Sequence, residues 1–312
     1  MKVIFIRSGN RGLDPISQSQ GESLIREGVD IVFYNLIGKG VKGYLSNICA
    51  LRAFIKKENP DICHAHFSLT GFVTALTFTK KPIIISLMGS DVKASTLLQK
   101  ALIRIFALFF WSKVIVKSKE MKDILKYKDS IILPNGIDFT RFYYLEKKVC
   151  LSRLNWNSEE INILFASNPD RPEKNYKLAE DAISKLGQKK IRIHYLMDIK
   201  HEDLVYYYNA ADCLLLTSLY EGSPNVIKEA MACSRPIVCT NVGDVKWLLG
   251  NEVGHFITSF ETKEVIEKLK KAIEFSIAEN NTKGRQRILD LGLDSENVAL
   301  KLIKVYQSVI AC

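Results

Sequence analysis

The sequence predicts an α/β protein built from two doubly wound, Rossmann-like domains that face each other. Short apolar runs alternate with helical patterns along the chain, which is typical of parallel sheets covered by helices on both faces. A polar stretch at 146–160, EKKVCLSRLNWNSEE, separates two such series and is interpreted as the linker between them. The length of 312 residues is large for one hydrophobic core and sufficient for two.

Each apolar run predicts one strand. The first half contains KVIFI, VDIVFYNL, DICHAHF, PIIISLM, SKVIVKS and SIILP, and the second half contains INILFAS, IRIHYLM, CLLLTS, PIVCT and GHFIT. Most runs are apolar almost without interruption, as expected for strands buried on both faces. The last segment, SENVALKLIKVYQSVI, repeats its apolar residues close to every 3.6 positions and predicts a packed amphipathic helix.

These elements predict three segments. Residues 1–150 form the first Rossmann-like domain, 151–290 form the second, and 291–312 form a C-terminal helix that packs back toward the first. The turn PNG at 134–136 is interpreted as the crossover between domains. In open α/β sheets, ligands bind outside the carboxyl ends of the strands, so binding residues are expected in the loops that follow strands.

The charge of the chain is unevenly distributed. Residues 1–150 carry 23 Lys/Arg against 12 Asp/Glu, a formal charge of +11, whereas the remainder carries 21 against 22. Such asymmetry indicates nucleic acid, an anionic membrane surface or a phosphorylated substrate as a partner; alternatively, the lysines only keep the protein in solution. The sequence has no aromatic RNA-binding string and no zinc-finger spacing, which argues against nucleic acid.

The sequence favours a cytoplasmic protein. Its seven cysteines are scattered without a CxxC pair, as expected for reduced core thiols. The N-terminal run in MKVIFIRSGN is too short for a signal peptide and predicts a first strand instead. The longest uncharged stretch, 62–79, contains two His and five Ser/Thr, so no transmembrane helix is predicted.

The stretch 219–244, LYEGSPNVIKEAMACSRPIVCTNVGD, places two acids around a helix start. It follows the strand run CLLLTS, Ser223-Pro224 is a helix-start signal, and PIVCT resumes a strand, so a βαβ unit is predicted. Glu221 lies in the loop and Glu229 about one and a half turns into the helix. Both acids are therefore expected at one crevice.

The loop after the first strand of the second half is basic. In FASNPDRPEKNYKLAEDAI, Arg171 and Lys174 stand in the loop and first helical turn, where the helix dipole favours acids. Cations at this position indicate a shared anion such as a diphosphate, and a solvated lysine is the alternative.

Three loops of the first half offer weaker candidates. The loop at 7–15, with Gly9, is suited either to a phosphate or to a plain turn. His64 and His66 alternate at a strand end, where one contacts substrate or both are core residues, and no third metal ligand accompanies them. Asp91 follows a strand in a Gly-Ser-Asp turn, as a crevice residue or a helix cap.

Several of these strings together resemble one known family. HAHF, MGSD, SKEMKDIL, LPNGIDFTRF, PEKN and EGSPNVIKEAMACSRPIVCTNVGD are similar to the motifs, in order, of the retaining glycosyltransferases of family 4, which have the GT-B fold. The resemblance covers most of the chain. Its most specific element runs from Glu221 to Glu229 and contains the Pro-x-Val turn.

The resemblance implies roles for matching residues. Glu229 would bind the ribose hydroxyls of a sugar nucleotide, Glu221 would be the catalytic residue beside the donor sugar, and Lys174 would bind phosphate. Backbone N–H groups for sugar and phosphate would come from the loop of Gly222, Ser223, Pro224, Asn225 and Val226. A carboxylate can accept two hydrogen bonds from a vicinal diol, which agrees with the role of Glu229. No metal is implied.

Two positions depart from the family pattern. Ser167-Asn168 stands where the family has Gly-Arg, so Asn168 and Arg171 are both candidates on the nucleotide side. Met88 stands where many members have a histidine, and a thioether cannot make the hydrogen bonds of an imidazole. His66 and Asp91 remain as catalytic candidates on the acceptor side, and Gly9 as a phosphate-binding glycine.

The expected function is a metal-independent, retaining hexosyl transfer without a cofactor. The donor is expected to be a UDP- or GDP-linked sugar held by the second domain, and the acceptor a saccharide or lipid-linked sugar of surface polysaccharide or glycolipid assembly, on the first. The alternatives are a sugar-nucleotide epimerase or hydrolase on the same scaffold, an inactive sugar-nucleotide sensor and, from another class, a nucleic-acid-binding protein.

The stretch 92–128 predicts peripheral attachment to the inner face of a membrane. It contains nine Lys/Arg against two acids and includes ALIRIFALFFW, which is apolar nearly all round and too short to span a bilayer. Either this is a buried helix, or Phe109, Phe110 or Trp111 meets the acyl boundary while lysines meet anionic headgroups.

Overall fold

The chain forms two compact α/β units. The computed structural model describes residues 1–10, 12, 14–187, 190–197, 199–279 and 281–310, so Cys312 lies outside the described residues. Unit 1 comprises Met1–Gly136 with Ser295–Cys312, and unit 2 comprises Ile137–Asp294. The first boundary coincides with the turn at 134–136 instead of the boundary after residue 150 expected from the sequence, because 137–150 packs with unit 2.

Unit 1 contains a six-stranded parallel sheet in the order β2-β1-β3-β4-β5-β6. The strands are β1 Lys2–Ser8, β2 Asp30–Leu36, β3 Ile62–His66, β4 Ile83–Ser86, β5 Lys113–Val116 and β6 Ile131–Ile132. The helices are α1 Pro15–Arg26, α2 Gly40–Leu45, α3 Ile48–Glu58, α4 Ser68–Leu76, α5 Ser90–Lys93, α6 Leu97–Phe109 and α7 Lys119–Leu125, followed much later by α15 Ser295–Ile310.

Unit 2 contains a five-stranded parallel sheet in the order β11-β10-β9-β7-β8. The strands are β7 Ile161–Phe165, β8 Ile191–Tyr195, β9 Cys213–Leu216, β10 Ile237–Thr240 and β11 His255–Thr258. The helices are α8 Lys147–Leu154, α9 Tyr176–Ser184, α10 Leu204–Ala210, α11 Asn225–Ala232, α12 Val245–Leu249, α13 Thr262–Ala278 and α14 Gly284–Asp290. Two parallel-sheet units confirm the predicted fold class.

The order of strands fixes where loops converge. In unit 1, β2 and β3 lie on opposite sides of β1. In unit 2, β8 and β9 lie on opposite sides of β7. A crevice forms outside the carboxyl ends of neighbouring strands at such a switch point. The loops after β7 and β9 therefore lie beside each other, as do those after β1 and β3.

The sequence predicted a linker at 146–160, but this segment contains helix α8. This helix packs against α10 and buries Cys150 and Leu151 beside Ala210. Lys147 anchors it through an ion pair with Asp212 at 2.5 Å. The polar residues of the segment lie mostly on the exposed side of the helix. Because they outnumber the apolar ones, the sequence pattern did not predict a helix here.

The C-terminal helix α15 packs against α1 in unit 1. Its Tyr306 is fully buried, and the phenolic oxygen lies 2.6 Å from Nδ1 of His64 in β3. Nε2 of His64 lies 2.9 Å from Oγ of Ser86 in β4, so one imidazole links the last helix to two strands.

No helix in the described part of the chain is both long and apolar enough to cross a membrane. Of the six cysteines there, Cys49 is exposed and the other five are buried and unpaired.

We expect Tyr306→Phe to destabilise the protein by about 1–3 kcal/mol, because the buried Nδ1 of His64 would lose its partner. Urea unfolding of the full chain measures this change. Tyr34→Phe is the matched control in unit 1, since the Tyr34 hydroxyl has no hydrogen-bond partner among the described residues. Equal unfolding free energies for the two variants would show that this contact contributes nothing.

Candidate functional site

The switch point of unit 2 brings a lysine and a glutamate together. Lys174 ends a single turn of 3-10 helix, Pro172–Lys174, after β7, and Glu221 lies in the loop after β9. Nζ of Lys174 lies 2.5 Å from Oε1 of Glu221, and both side chains are largely buried. Lys174 thus precedes α9 and does not lie in its first turn, where the sequence had placed it.

Hydroxyl groups hold these two loops in register. Thr217 donates from Oγ1 to the carbonyl oxygens of Lys174 and Asn175, at 3.0 Å each. Oγ of Ser218 donates to Oε1 of Glu221 at 2.8 Å, and Oγ1 of Thr240 donates to the carbonyl of Ser218 at 2.7 Å. The loops after β7 and β9 and the last residue of β10 are therefore connected through side chains.

A glycine after β10 supports the turn that carries Glu221. Gly243 has φ +63°, and a Cβ atom built there would lie 2.6 Å from the carbonyl oxygen of Gly222 and 2.9 Å from that of Glu221. Contacts this short are not tolerated by backbone atoms, so only glycine allows the two loops to approach. The position of Glu221 depends on a residue that is 22 positions later in the chain.

Glu229 lies inside α11, with 8 % of its surface exposed. The hydroxyl of Tyr208, from α10, donates to its Oε2 at 2.5 Å. Burial raises the pKa of Glu229, and the Tyr208 hydrogen bond and the neighbouring Lys228 oppose this rise. The structure therefore holds this carboxyl group in one orientation at the edge of the loop.

The first turn of α11 presents unused hydrogen-bonding groups. Pro224 occupies the N-cap position and no side chain caps the helix, whose first residues are Asn225 and Val226. Oγ of Ser223 and Oδ1 of Asn225 are buried and have no hydrogen-bond partner among the described residues. Free backbone N–H groups at a helix N-terminus favour an anion.

The other two candidates on the nucleotide side lie at the edge of this cluster. The guanidinium of Arg171 pairs with Glu173 at 2.5 Å and is half exposed, so it does not share a partner with Lys174. Oδ1 of Asn168 accepts from the backbone N–H of Asp170 at 2.8 Å and closes a turn. Lys174 is the cation that the structure brings to Glu221.

The histidines of unit 1 are stacked core residues. His66 is 3 % exposed, its ring lies 4.3 Å from that of His64, and its Nε2 lies 3.0 Å from Oε1 of Gln20. Burial, together with Lys117 and Arg7, lowers the pKa of His66 to about 3. His66 is therefore neutral near pH 7 and is suited to hydrogen bonding.

Asp91 clamps the loop that follows β4. Its carboxylate accepts from the backbone N–H groups of Met88 and Gly89, at 2.9 Å each, and from Ser68 at 3.1 Å at the start of α4. Burial raises the pKa of Asp91 to about 6, and these hydrogen bonds oppose the rise. The geometry gives Asp91 a loop-holding role, and its predicted catalytic role stays a prediction.

Gly9 has a packing reason to be glycine. A Cβ atom there would lie 3.0 Å from Cβ of Asn35 and 3.4 Å from the carbonyl oxygen of Leu36. The Gly9 N–H donates to the same oxygen at 2.8 Å, which extends the pairing of β1 with β2. The predicted phosphate contact of Gly9 is not tested by this geometry.

Within the described ranges, no group of three or more His, Cys, Asp or Glu side chains is arranged to hold a metal ion. The unit 2 cluster instead combines a cation, two carboxylates and an open helix N-terminus. Such a set can bind a diphosphate beside hydroxyl groups.

Sequence reasoning did not identify Gly243 and Tyr208 as residues of this cluster. Gly243 lies within the stretch 219–244, yet nothing in that stretch shows which turn it contacts. Tyr208 comes from a different helix, and its hydroxyl meets Glu229 only through the packing of α10 near α11. A glycine after a buried strand was the one available signal.

Two family models match the chain, one in each half. Residues 3–141 match the model described as Glycosyltransferase Family 4, and residues 146–274 match Glycosyl transferases group 1. Together they span nearly all of the chain.

Curated relatives are similar over parts of their length. The chain is 28 % identical to the putative teichuronic acid biosynthesis glycosyltransferase TuaC of Bacillus subtilis, over 61 % of this chain and 56 % of that protein. It is 23 % identical to the UDP-Gal:alpha-D-GlcNAc-diphosphoundecaprenol alpha-1,3-galactosyltransferase of Escherichia coli, over 68 % of this chain and 66 % of that protein. The chain thus spans less than two thirds of these relatives.

Solved structures share the fold over the full chain. Sucrose-phosphate synthase from Thermosynechococcus elongatus superposes with a TM-score of 0.83 at 17 % identity, covering 100 % of both chains. Anabaena Alr3699/HepE in complex with UDP superposes with a TM-score of 0.77 at 16 % identity, covering 99 % of this chain and 100 % of that one.

We expect Gly243→Ala to lower the free energy of unfolding by at least about 1 kcal/mol more than Gly187→Ala. Both substitutions force alanine into a left-handed conformation, which costs about 1–2 kcal/mol. Only the first places a Cβ against backbone carbonyls, since Gly187 has φ +72° and open space around it. Chemical unfolding of both variants measures the difference, and equal losses would contradict the contact.

Proposed function

We propose, for a chain that belongs to the family 4, group 1 glycosyltransferases, that its donor is a UDP- or GDP-linked hexose bound by unit 2. The acceptor is a saccharide or a lipid-linked sugar in surface polysaccharide or glycolipid assembly. The transfer retains the anomeric configuration and uses neither a metal nor a further cofactor. The observation that carries this proposal is the Lys174–Glu221 pair beside the uncapped start of α11.

Glu229 holds the nucleoside end of the donor in this proposal. A ribose presents two neighbouring hydroxyl groups, and a carboxylate can accept a hydrogen bond from each. Tyr208 fixes the carboxylate through Oε2, so its orientation is set before the donor arrives. The proposal requires the ionised form of Glu229.

Lys174 and the first turn of α11 receive the diphosphate. The phosphoryl oxygens gain charge as the bond to the sugar breaks, and a lysine with backbone N–H groups stabilises that charge. Before the donor binds, Glu221 neutralises Lys174. Binding therefore places a diphosphate where a lysine is already held in position.

Glu221 lies where the sugar joins the diphosphate in this arrangement. Its carboxylate is anchored by Ser218 as well as Lys174, and Gly243 supports the turn below it. An acidic side chain here can bind sugar hydroxyls and stabilise positive charge that develops at the anomeric carbon. The same anchoring keeps Glu221 oriented through the reaction.

The names of similar proteins support the substrate classes. The name of the Escherichia coli relative contains UDP-Gal and alpha-D-GlcNAc-diphosphoundecaprenol, and that of the Bacillus subtilis relative contains teichuronic acid biosynthesis. The Anabaena protein was solved with UDP-glucose.

We expect Glu229→Ala and Lys174→Ala each to weaken binding of UDP or GDP at least about tenfold, since each loses a charged hydrogen bond. Isothermal titration of the full chain measures affinity, and Glu180→Ala on the exposed side of α9 is the control. No nucleotide binding by the wild-type chain, or unchanged affinity in Glu229→Ala, would reject the donor site. Consumption of donor without any acceptor would indicate a hydrolase or epimerase.

A second part of the proposal concerns helix α6, which is apolar on its outer face as well as its inner face. Ile103 and Ala107 point into the core of unit 1. Several outward side chains are largely exposed: Leu97 83 %, Leu98 80 %, Leu108 65 % and Phe109 76 %. An outward apolar face of this extent indicates an interaction surface.

The charge around α6 supports an anionic bilayer as the partner. Unit 1 carries 22 Lys/Arg against 11 Asp/Glu, whereas unit 2 carries 22 against 23. Lys100 and Arg104, four residues apart, line one side of the apolar face. We therefore propose that α6 lies on an anionic membrane surface and brings the enzyme to a lipid-linked acceptor.

Trp111 and Lys117, which belong to the stretch of the sequence-based membrane prediction, are buried and do not take part. Trp111 is 5 % exposed, and its indole N–H donates to the carbonyl of Gly71 at 3.2 Å. Lys117 is 1 % exposed. Phe109 and Phe110 are the aromatic side chains of this stretch that reach the surface, because α6 ends before the chain turns inward to β5.

We expect the chain to sediment with anionic but not with neutral vesicles, and less as salt rises. Leu108→Ser combined with Phe109→Ser should weaken this binding at least about tenfold, because two apolar side chains no longer leave water. Val253→Ser with Ile277→Ser, two exposed apolar residues of unit 2, is the control. Equal partitioning to both vesicle types, or to neither at low salt, would exclude the membrane.

A further inference from the structure

A basic pocket lies at the edge of the unit 1 sheet opposite the carboxyl ends of its strands. Its volume is about 540 Å³. The lining comes from the last turns of α3, the end of α4 and the loop that leads into β4, and includes Arg52, Lys56, Phe78, Thr79, Lys80 and Lys81. It is therefore separate from the loops that follow β1, β3 and β4.

The pocket has four cationic side chains and no acidic lining residue. None of the four has a carboxylate within 4.0 Å among the described residues. The two acids nearest in sequence, Glu58 and Asp61, are both engaged by Lys2, at 2.8 Å from its side chain and 2.7 Å from its backbone N–H. The positive charge of the pocket is thus uncompensated by neighbouring carboxylates.

Arg52 is held in place while keeping donors available. Its Nε donates to the carbonyl of Thr77 at 2.8 Å, at the end of α4, and its guanidinium lies 6.0 Å from the ring centre of Phe78. Nη1 has no protein acceptor in the described residues. An anchored guanidinium with free N–H groups is suited to phosphate oxygens.

Helix dipoles explain only part of this charge. Arg52 and Lys56 lie near the C-terminal ends of helices, where cations are favourable. Lys80 and Lys81 lie in the loop beyond α4, outside any helix. Phe78, with φ +50° and 70 % of its surface exposed, adds an apolar side chain to the lining of the pocket. Binding of an inorganic anion by cations alone would not involve such a side chain.

We propose that this pocket binds a phosphate group carried by an organic ligand. Arg52, Lys56, Lys80 and Lys81 supply the charge for the phosphate, and Phe78 contacts the organic part. The phosphate comes either from a membrane phospholipid headgroup or from a phosphate ester in solution. This phosphate site does not depend on the proposed transfer reaction.

The topology relates this pocket to the membrane face of α6. Helix α6 ends at Phe109, just before β5 begins, so its last turn lies at the same edge of the sheet as the pocket. A lipid headgroup in the pocket would therefore be compatible with α6 on the bilayer. The pocket would add a phosphate site to that proposed association.

Titration of the full chain with glycerol phosphate, followed by phosphorus NMR, tests the pocket directly. Lys56→Ala with Lys80→Ala should weaken binding at least about tenfold, since each lysine near an anionic group contributes roughly fivefold. Lys263→Ala with Lys270→Ala, on exposed positions of α13, changes the net charge equally and is the control. UDP or GDP affinity, measured on the same variants, should not change.

Sedimentation with phosphatidylglycerol vesicles distinguishes the two sources of phosphate. Loss of vesicle binding in Lys56→Ala with Lys80→Ala, but not in the control, assigns the pocket to a lipid headgroup. Weakened binding of glycerol phosphate alone assigns it to a phosphate ester in solution. If the wild-type chain binds neither probe, or if the two double variants behave alike with both, the proposal is overturned.

Discussion

The ion pair between Lys174 and Glu221 is the interaction on which the candidate site depends. It joins the loops after β7 and β9. These strands are neighbours because β8 and β9 lie on opposite sides of β7 in the parallel sheet. Both charged side chains are largely buried, and removing one of them would leave the other as an unpaired buried charge, which costs free energy. Hydroxyls of Thr217, Ser218 and Thr240 hold the surrounding loops, so the pair is placed before any ligand binds.

The two units carry different chemistry at their carboxyl edges. In unit 2, buried ionisable groups stand beside the helix start: burial raises the pKa of Glu229, and burial lowers that of Lys228 to about 8. In unit 1, burial keeps His64 and His66 neutral, and the basic side chains lie mainly on the surface. At the carboxyl edge of the sheet, a buried carboxyl group and a cation therefore lie together in unit 2, whereas the two histidines of unit 1 are neutral.

The fold was largely predictable because parallel strands buried on both faces leave uninterrupted apolar runs. Each of the eleven runs named from sequence contains a strand. Helix α8 was missed because its buried face is only Cys150 and Leu151, within a polar segment. Trp111 was one of three aromatic candidates for a membrane contact because an aromatic residue after an apolar helix does not show which way its side chain points. In the structure its indole N–H donates to the carbonyl of Gly71.

The candidate site was predictable only where its residues are close in sequence. Glu221, Glu229 and the turn between them follow from one stretch. Other contacts depend on packing between segments that are distant in the sequence, namely those of Tyr208 with Glu229, of Gly243 with the Glu221 turn and of His64 with Tyr306. The periodicity of apolar residues does not show which distant segments pack together. The pairing of Arg171 with Glu173 likewise depends on side-chain geometry, and the predicted contact of Arg171 with an anion stays a prediction.

A crystal structure of the full chain with bound UDP or GDP tests the central claim most directly. We expect the diphosphate between Lys174 and the first turn of α11, with the ribose hydroxyls on Glu229 and the Lys174–Glu221 contact lengthened or shared with phosphate. A nucleotide bound elsewhere in unit 2, with Glu229 still turned only to Tyr208 and Lys174 still held only by Glu221, would contradict it.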